Sequence, residues 1–203
     1  MKPLIQDPYT IILAGVGGQG NVMGSRILAN MLSMKGYFLT IGETFGASQR
    51  GGSVMSHLRV SAASTWSPQI PKGKAHIVIA LEPVEAIRIM ATYGNREVIV
   101  LTNTRPVHPA SVIAGESGYP EIETIQKTLE GLSSRVWMIE ATEEAMKLGN
   151  PILSNIIMIG AVSALGLLPL ESEDFINVIE ETFPKKLLDV NRQAFQIGRD
   201  SVK

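Results

Sequence analysis

The fold is decided by Tyr9-Thr10-Ile11-Ile12-Leu13-Ala14, which runs directly into the turn Gly15-Val16-Gly17-Gly18-Gln19-Gly20. The first segment is short, apolar and rich in β-branched side chains, which is typical of a buried parallel strand. After the turn, apolar side chains recur at helical spacing from Asn21 to Lys35, and Gly36 follows as a stop signal. The sequence therefore predicts a strand, a glycine turn and a helix in succession.

Strands and helices alternate along the next hundred residues. Predicted strands are Tyr37 to Ile41, Val54 to Val60, Ile77 to Leu81, Glu97 to Leu101 and Arg135 to Ile139, and predicted helices are Pro83 to Tyr93, Ile122 to Leu132, Glu143 to Leu148, Pro151 to Leu167, Ser172 to Phe183 and Lys185 to Gly198. This order predicts an α/β fold with a Rossmann-like, mostly parallel sheet, helices on both faces and a helical C-terminal segment. We expect one domain over residues 1–203, with an α/β core at about 9–140 and a helical tail at about 141–203 that packs on the sheet or on a partner.

The stretch from Ile152 to Leu170 has no charged residue and is about as long as a membrane span. Gly160 and Gly166 break it, acidic residues follow it, and Asn150-Pro151 gives it an ordinary helix start. We expect a helix buried inside the protein rather than a membrane span.

The amino-acid composition of the chain argues against several classes of function. The absence of cysteine excludes disulfides, thiolate zinc sites and cysteine-held iron–sulfur clusters within this chain. A net charge of −1 with scattered Lys and Arg gives no support to a nucleic-acid or membrane partner. The N-terminus lacks the apolar core of a signal peptide, so we expect a cytoplasmic protein. Charged residues make up 18% of the chain, which favours a surface partly covered by another subunit, although a compact monomer rich in Ser, Thr and Asn fits too.

The first turn matches the dinucleotide fingerprint Gly-x-Gly-x-x-Gly between a predicted strand and a predicted helix. In such a site Gly15 allows the tight turn, Gly17 lets the backbone approach a pyrophosphate, and Gly20 allows close packing of helix on strand. Free N–H groups of the first helical turn then face the anion. Gly18 and Gln19 are unusual there, because they add a fourth glycine and a polar amide at the tip. The alternative is a tight turn that binds nothing.

A second turn, Gln49-Arg50-Gly51-Gly52-Ser53, concentrates anion-binding groups. Its guanidinium can hold a carboxylate or phosphate through two hydrogen bonds, and the neighbouring amides and hydroxyl add donors. Glu43 lies near the position of the ribose-binding acid of a dinucleotide site. Alternatively, Glu43 pairs with Arg50, and the second turn is a surface hairpin without function. The candidate ligand- or interface-binding residues are therefore Gly15, Gly17, Gly18, Gln19, Gly20, Glu43, Gln49, Arg50, Gly51, Gly52 and Ser53.

No catalytic residue or metal site is predicted in this chain. His57, His76 and His108 do not have metal-ligand spacing, and His57 is most simply a residue of a strand face. The sequence contains neither a Gly-x-Ser-x-Gly elbow nor a Walker loop.

Four stretches resemble the gamma-type subunit of the 2-oxoacid:ferredoxin oxidoreductases, and together they span nearly the whole chain. They are Ile12-Leu13-Ala14-Gly15-Val16-Gly17-Gly18-Gln19-Gly20, Gly42-Glu43-Thr44-Phe45-Gly46-Ala47-Ser48-Gln49-Arg50-Gly51-Gly52-Ser53-Val54, Val98-Ile99-Val100-Leu101-Thr102-Asn103-Thr104 and Asn191-Arg192-Gln193-Ala194-Phe195-Gln196-Ile197-Gly198. The second stretch is the most specific, because Gln-Arg-Gly-Gly-Ser-Val resembles the indolepyruvate branch of the family.

The resemblance implies oxidative decarboxylation of a 2-oxoacid to an acyl-CoA, with electrons passed to ferredoxin. In this family thiamine diphosphate carries the carbanion chemistry and iron–sulfur clusters carry the electrons. This chain has no Gly-Asp-Gly thiamine signature and no cysteine. We therefore expect these cofactors on a larger partner subunit, coenzyme A in the assembled complex, and no turnover from this chain alone. Glu43, Gln49 and Arg50 are expected near substrate, coenzyme A or the partner.

Two other functions stay open at the level of sequence. One is a stand-alone Rossmann-type NAD(P)-binding dehydrogenase, and the other is a structural scaffold with vestigial turns. The double glycine Gly17-Gly18 is atypical of a dehydrogenase, which also has no standard use for the Gln49 to Gly52 turn. Both features favour the oxidoreductase subunit.

Overall fold

A six-stranded sheet forms the centre of the chain in the computed structural model, which describes residues 2–43 and 52–203. The strands are β1 (Tyr9–Val16), β2 (Phe38–Glu43), β3 (Ser53–Ser61), β4 (Ile77–Ala80), β5 (Ile99–Asn103) and β6 (Arg135–Ile139). Their order across the sheet is β2-β3-β1-β4-β5-β6. Strands β1, β4, β5 and β6 run parallel, as predicted, whereas β3 is antiparallel to both of its neighbours.

The reversal of β3 was not predicted, and it changes the neighbour of β1. In the dinucleotide fold the second strand lies beside the first. Here β3 lies between β1 and β2, so Glu43 at the end of β2 is two strands away from β1. The chain between β2 and β3 is too short for a helical crossover, and an antiparallel return is the connection that such a length allows.

Eight α-helices and two short 3-10 turns surround the sheet within the described residues. The helices are α1 (Asn21–Met34), α2 (Pro83–Tyr93), α3 (Ala110–Ile113), α4 (Ile122–Leu132), α5 (Ala141–Lys147), α6 (Ser154–Ala164), α7 (Ser172–Thr182) and α8 (Leu188–Asp200), and the 3-10 turns are Pro151–Leu153 and Lys185–Leu187. The predicted α/β class is confirmed. The long helix predicted from Pro151 is shorter than expected, because it begins as a 3-10 turn and α6 ends two residues before Gly166, whose φ is +69°.

Alternate strand residues build a core on each face of the sheet. On one face, Ile11 and Leu13 of β1 pack with α1, α6, α7 and α8. On the other face, Ile12 and Ala14 pack with α2 and α4. The helical tail therefore packs on the sheet, which is one of the two arrangements expected from the sequence.

Helix α6 explains the long uncharged stretch of the sequence. Ile156, Ile157, Met158 and Ile159 are all buried, so the helix is apolar on every side because protein surrounds it. Over residues 2–43 and 52–203, no helix combines the length and apolarity needed to cross a membrane.

Glycines let α6 and α8 approach closely. A Cβ atom on Gly198 would lie 1.8 Å from the Ile157 carbonyl oxygen, and one on Gly160 would lie 2.1 Å from the Phe195 carbonyl oxygen. Both obstacles are backbone atoms, which cannot move without shifting a helix.

Gly198→Ala should therefore lower the free energy of unfolding by about 3 kcal/mol or more, because the new methyl group forces the two helices apart. Gly131→Ala is the matched control, since Gly131 also lies in a helix but has no described atom within 4 Å of its Cβ position. This control should be neutral or stabilise the protein by about 0.5–1 kcal/mol. Urea unfolding of both variants measures the difference, and similar values for the two would contradict the packing described.

Candidate functional site

The first glycine turn begins later than the sequence indicated. Strand β1 continues through Gly15 to Val16, so Gly15 is paired within the sheet and only Gly17 to Gly20 connect β1 to α1. The assignment of Gly15 to the tight turn is therefore wrong. Gly15 instead leaves space for the side chain of Gln19.

Gln19 folds back over the ends of two parallel strands. Its Oε1 accepts a hydrogen bond from the Val16 backbone N–H at 2.7 Å, and its Nε2 donates to the Leu81 carbonyl at 2.9 Å. A Cβ atom on Gly15 would lie 2.7 Å from this Oε1. A side chain at Gly15 would therefore displace the half-buried amide of Gln19, and it would also lie 3.0 Å from Leu81 Cβ. Gln19 is tied to the strand ends rather than left free at the tip of the turn.

A second amide continues this layer of hydrogen bonds. Asn103, at the end of β5, donates to the same Leu81 carbonyl at 3.1 Å and to Thr142 Oγ1 at 2.9 Å. The boundary between β1 and β4 is where the strand order reverses, and open α/β sheets usually bind ligands in the crevice at that point. Here the side chain of Gln19 forms hydrogen bonds across that boundary.

Gly20 provides close contact with the helical tail. Its φ is +80°, and an added Cβ would lie 2.3 Å from Asn155 Nδ2 on α6. That same Nδ2 donates to the Gly20 carbonyl at 3.1 Å. The atoms that require Gly20 therefore belong to α6, whereas the sequence argument had assigned the glycine to packing of α1 on β1.

The outer side of the turn is more open. Among the described residues, α1 has neither a side-chain cap nor an acidic residue in its first turn, so its first N–H groups are available to an anion. A cavity of about 450 Å³ lies there, bordered by Gly17, Gly18, Gly20, Asn21 and Glu43. The structure thus brings Glu43 and the first turn together, although β3 separates their strands.

Some polar atoms at this cavity have hydrogen-bond or ion-pair partners, and one buried atom has none within the described part of the chain. Asn21 Nδ2 donates to Ser56 Oγ at 2.9 Å, while the buried Asn21 Oδ1 has no hydrogen-bond partner among the described residues. The carboxylate of Glu43 is 3.8 Å from Arg26 Nε and is largely buried.

The end of the second turn is joined to the first. Gln49, Arg50 and Gly51 lie outside the described residues, so their predicted roles stay predictions. Gly52 accepts a hydrogen bond through its carbonyl from the Gly17 backbone N–H at 2.9 Å. The two glycine turns therefore meet at the carboxyl-terminal edge of β1.

Two buried carboxylates that the sequence argument did not select support this junction. Ser53 donates through Oγ to Glu85 Oε2 at 2.5 Å, and Glu85 Oε1 also pairs with Arg88 at 3.2 Å. The Ser53 hydroxyl is thus used internally rather than offered to a ligand. Glu82 caps α2 by accepting from the Glu85 N–H at 2.9 Å. The Glu82-Pro83 pair after a buried strand is the signal that could have identified this cap.

A second cavity of about 350 Å³ borders these acids, and its walls include Val16, Ser53, Glu82, Glu85 and Tyr119. Tyr119 donates its hydroxyl hydrogen bond to Glu82. Burial and the Glu82 carboxylate raise the pKa of Tyr119, so the phenol stays protonated and can donate at neutral pH.

The histidines have structural roles. His57 lies on β3 as predicted, where its Nδ1 accepts from the Ile70 N–H at 3.1 Å and burial lowers its pKa. His76 Nδ1 accepts from the Thr10 N–H at 2.9 Å.

Comparison with known proteins now decides the family. Residues 10–201 match the family described as Pyruvate ferredoxin/flavodoxin oxidoreductase. The chain belongs to this family. It is 35% identical to the indolepyruvate oxidoreductase subunit IorB of Thermococcus kodakarensis over 96% of each chain. The gamma-type resemblance inferred from the two glycine turns is confirmed.

Solved structures support the same fold. Pyruvate oxidoreductase subunit PORC from Thermotoga maritima has a TM-score of 0.73 at 20% identity, with 96% of this chain and 97% of that chain covered. The 2-oxoglutarate:ferredoxin oxidoreductase from Magnetococcus marinus, with 2-oxoglutarate, coenzyme A and succinyl-CoA bound, has a TM-score of 0.74 at 17% identity. In that comparison the match covers 97% of this chain but 31% of the other, so the fold also occurs within a longer polypeptide.

The residues of this chain do not fit the redox cofactors of such enzymes. Cysteine thiolates hold iron–sulfur clusters, and the chain has none. Within the described ranges, no three His, Asp or Glu side chains come together as metal ligands.

The dependence of Gly15 on Gln19 can be tested by a double-mutant cycle. Gln19→Ala should lower the free energy of unfolding by about 1–3 kcal/mol, because the buried Val16 N–H loses its partner. Gly15→Ala should lower the free energy of unfolding less in the Gln19→Ala background than in the wild type, because the Gln19 Oε1 atom that the new methyl group would contact is then absent.

Urea unfolding of the two single variants and the double variant measures the coupling. Gln126→Ala is the control, because this glutamine is exposed and its side chain donates a hydrogen bond to the nearby Glu130 on the same helix. Simple additivity of the Gly15 and Gln19 effects would show that another neighbour of Gly15, such as Leu81, accounts for the cost.

Proposed function

We propose that the chain is the small subunit of an arylpyruvate-type, specifically indolepyruvate-type, 2-oxoacid:ferredoxin oxidoreductase. The reaction converts the 2-oxoacid to an acyl-CoA with loss of CO₂ and passes electrons to ferredoxin. The observation that supports this most directly is the 35% identity to an indolepyruvate oxidoreductase subunit over 96% of both chains. The Gln-Arg-Gly-Gly-Ser-Val segment points to the same branch.

The chemistry divides between two polypeptides in this proposal. A larger subunit supplies thiamine diphosphate and the iron–sulfur clusters, because this chain has no cysteine to hold a cluster. The assembled enzyme binds coenzyme A and delivers electrons to ferredoxin. We infer that the small subunit has no turnover alone and that the complex works in the cytoplasm.

The edge formed by the two glycine turns is the part of the small subunit that we assign to ligand or partner contact. The Gly18 backbone and the uncapped start of α1 offer N–H donors, whereas the Gly17 N–H is already bonded to the Gly52 carbonyl. Arg50, with Gln49 and the Gly51 amide beside it in sequence, can bind a carboxylate, or a phosphate such as one of those in coenzyme A. Glu43 lies at the same cavity as the first turn.

The dehydrogenase alternative has less support from the sheet. In the dinucleotide fold the second strand lies beside the first, whereas here β3 takes that place and Glu43 is two strands away from β1. The relatives described above also favour the oxidoreductase subunit.

We expect catalysis to require both polypeptides. The chain should be purified with and without the product of the adjoining reading frame, and arylpyruvate- and coenzyme A-dependent reduction of a viologen dye should be measured. Activity should appear only with both proteins present. Tight binding of a nicotinamide cofactor by the isolated chain, with reduction by a hydroxy acid, would refute the proposal.

Within the complex, Arg50→Ala should raise the KM for coenzyme A or arylpyruvate about tenfold or more, because a charge-assisted contact is lost. Arg135→Ala is the control, since Arg135 begins β6 at the opposite end of the sheet and stacks on Trp137. Unchanged kinetics and assembly for Arg50→Ala would reduce the second turn to a surface hairpin.

A further inference from the structure

An apolar groove of about 580 Å³ lies beside the first glycine turn, between α1, the 3-10 turn Pro151–Leu153 and the start of α8. Its floor includes Ile156 of α6, and Phe183 and Leu187 form one wall. Gly20 and Ile152 border both this groove and the cavity at the turn. The groove is therefore continuous with the edge that we assign to ligand or partner contact.

Three large apolar side chains around the groove are exposed to solvent. Met23 is 40% exposed, and Ile152 and Leu187 are each 38% exposed. They come from three separate segments of the chain, yet they line one concave surface. Contiguous exposed apolar surface of this kind marks an interaction site, because single exposed apolar residues are ordinary but clusters are costly in water.

Two lysines flank the groove in sequence. Lys185 and Lys186 are exposed and lie between the lining residues Phe183 and Leu187, while the nearby carboxylate of Asp189 is 3.6 Å from Arg192. Neither lysine forms an ion pair with any residue in the described ranges. An occupant with carboxylates beside its apolar side chains would complement the two lysines.

Self-association fits the two lysines poorly. A two-fold contact places the same patch of two copies face to face, so it would bring both lysine pairs to one interface. A different polypeptide meets no such repulsion.

We propose that this groove is the docking site for an apolar segment, flanked by carboxylates, of the larger oxidoreductase subunit. This inference rests on the proposed function, because that function requires the larger subunit. The segment would insert apolar side chains between Ile152 and Leu187 while its carboxylates pair with Lys185 and Lys186.

Two variants on one helix test the docking site. Met23→Glu places a charge in the groove, and at the N-terminus of α1 a carboxylate does not weaken the helix. Met34→Glu is the matched control, since Met34 is 51% exposed at the other end of α1 and does not line the groove. Each variant is produced together with the larger subunit, and complex formation is measured by size-exclusion chromatography with light scattering and by titration.

Met23→Glu should weaken the complex about tenfold or more, whereas Met34→Glu should assemble like the wild type. Lys185→Glu combined with Lys186→Glu should also weaken assembly, and the loss should grow at low salt. Circular dichroism and thermal unfolding of each isolated variant establish that it folds.

Wild-type affinity for Met23→Glu and for the double lysine variant would overturn the docking site. So would a wild-type chain that forms a dimer which Met23→Glu dissociates, since the groove would then serve self-association. If the wild-type chain forms no complex with the larger subunit, the proposed function itself fails. If the wild-type complex forms and the variants assemble equally well, only the docking site fails.

Discussion

The amide of Gln19 is the interaction on which the rest of the site depends. It joins the backbone at the end of β1 to the carbonyl that follows β4, exactly where the strand order of the sheet reverses. This hydrogen bonding requires Gly15 to lack a side chain and draws the turn over the strand ends. The turn then places Gly17 so that its N–H reaches the Gly52 carbonyl. The half-buried Gln19 amide thus joins the first turn to the strand ends, and Gly17 joins it to the second turn.

This arrangement differs from that of a dinucleotide site although the glycine pattern is similar. Gln19 bridges the ends of β1 and β4, β3 takes the place beside β1, and an open surface lies on the outer side of the turn, at the start of α1. Glu43, the uncapped helix and the end of the second turn surround that outer surface. An edge of this kind suits a subunit that completes a site on another polypeptide, and the apolar groove beside Gly20 extends the same edge.

Local signals allowed much of the fold to be predicted. The bounds of α2, α4 and β6 were predicted correctly, because Pro83, helical periodicity and β-branched runs act within a few residues. The features that were missed depend on distant residues. Gln19 and Leu81 are 62 positions apart, Gly20 and Asn155 are 135 apart, and Ser53 and Glu85 are 32 apart. The place of β3 between β1 and β2 is likewise set by pairing across the sheet. The family was recognised from motifs, whereas the roles of the individual glycines required the structure.

The central claim is that the edge formed by the two glycine turns faces the larger subunit or its ligand in the assembled enzyme. Hydrogen–deuterium exchange of the isolated chain and of the complex, with and without coenzyme A, measures this directly. The account predicts slower exchange on assembly for peptides covering residues 17–24 and 52–56, with the opposite edge of the sheet around Glu97 and Arg135 unchanged. Complex formation that leaves both turn peptides unaffected and protects the Glu97 and Arg135 edge instead would contradict it.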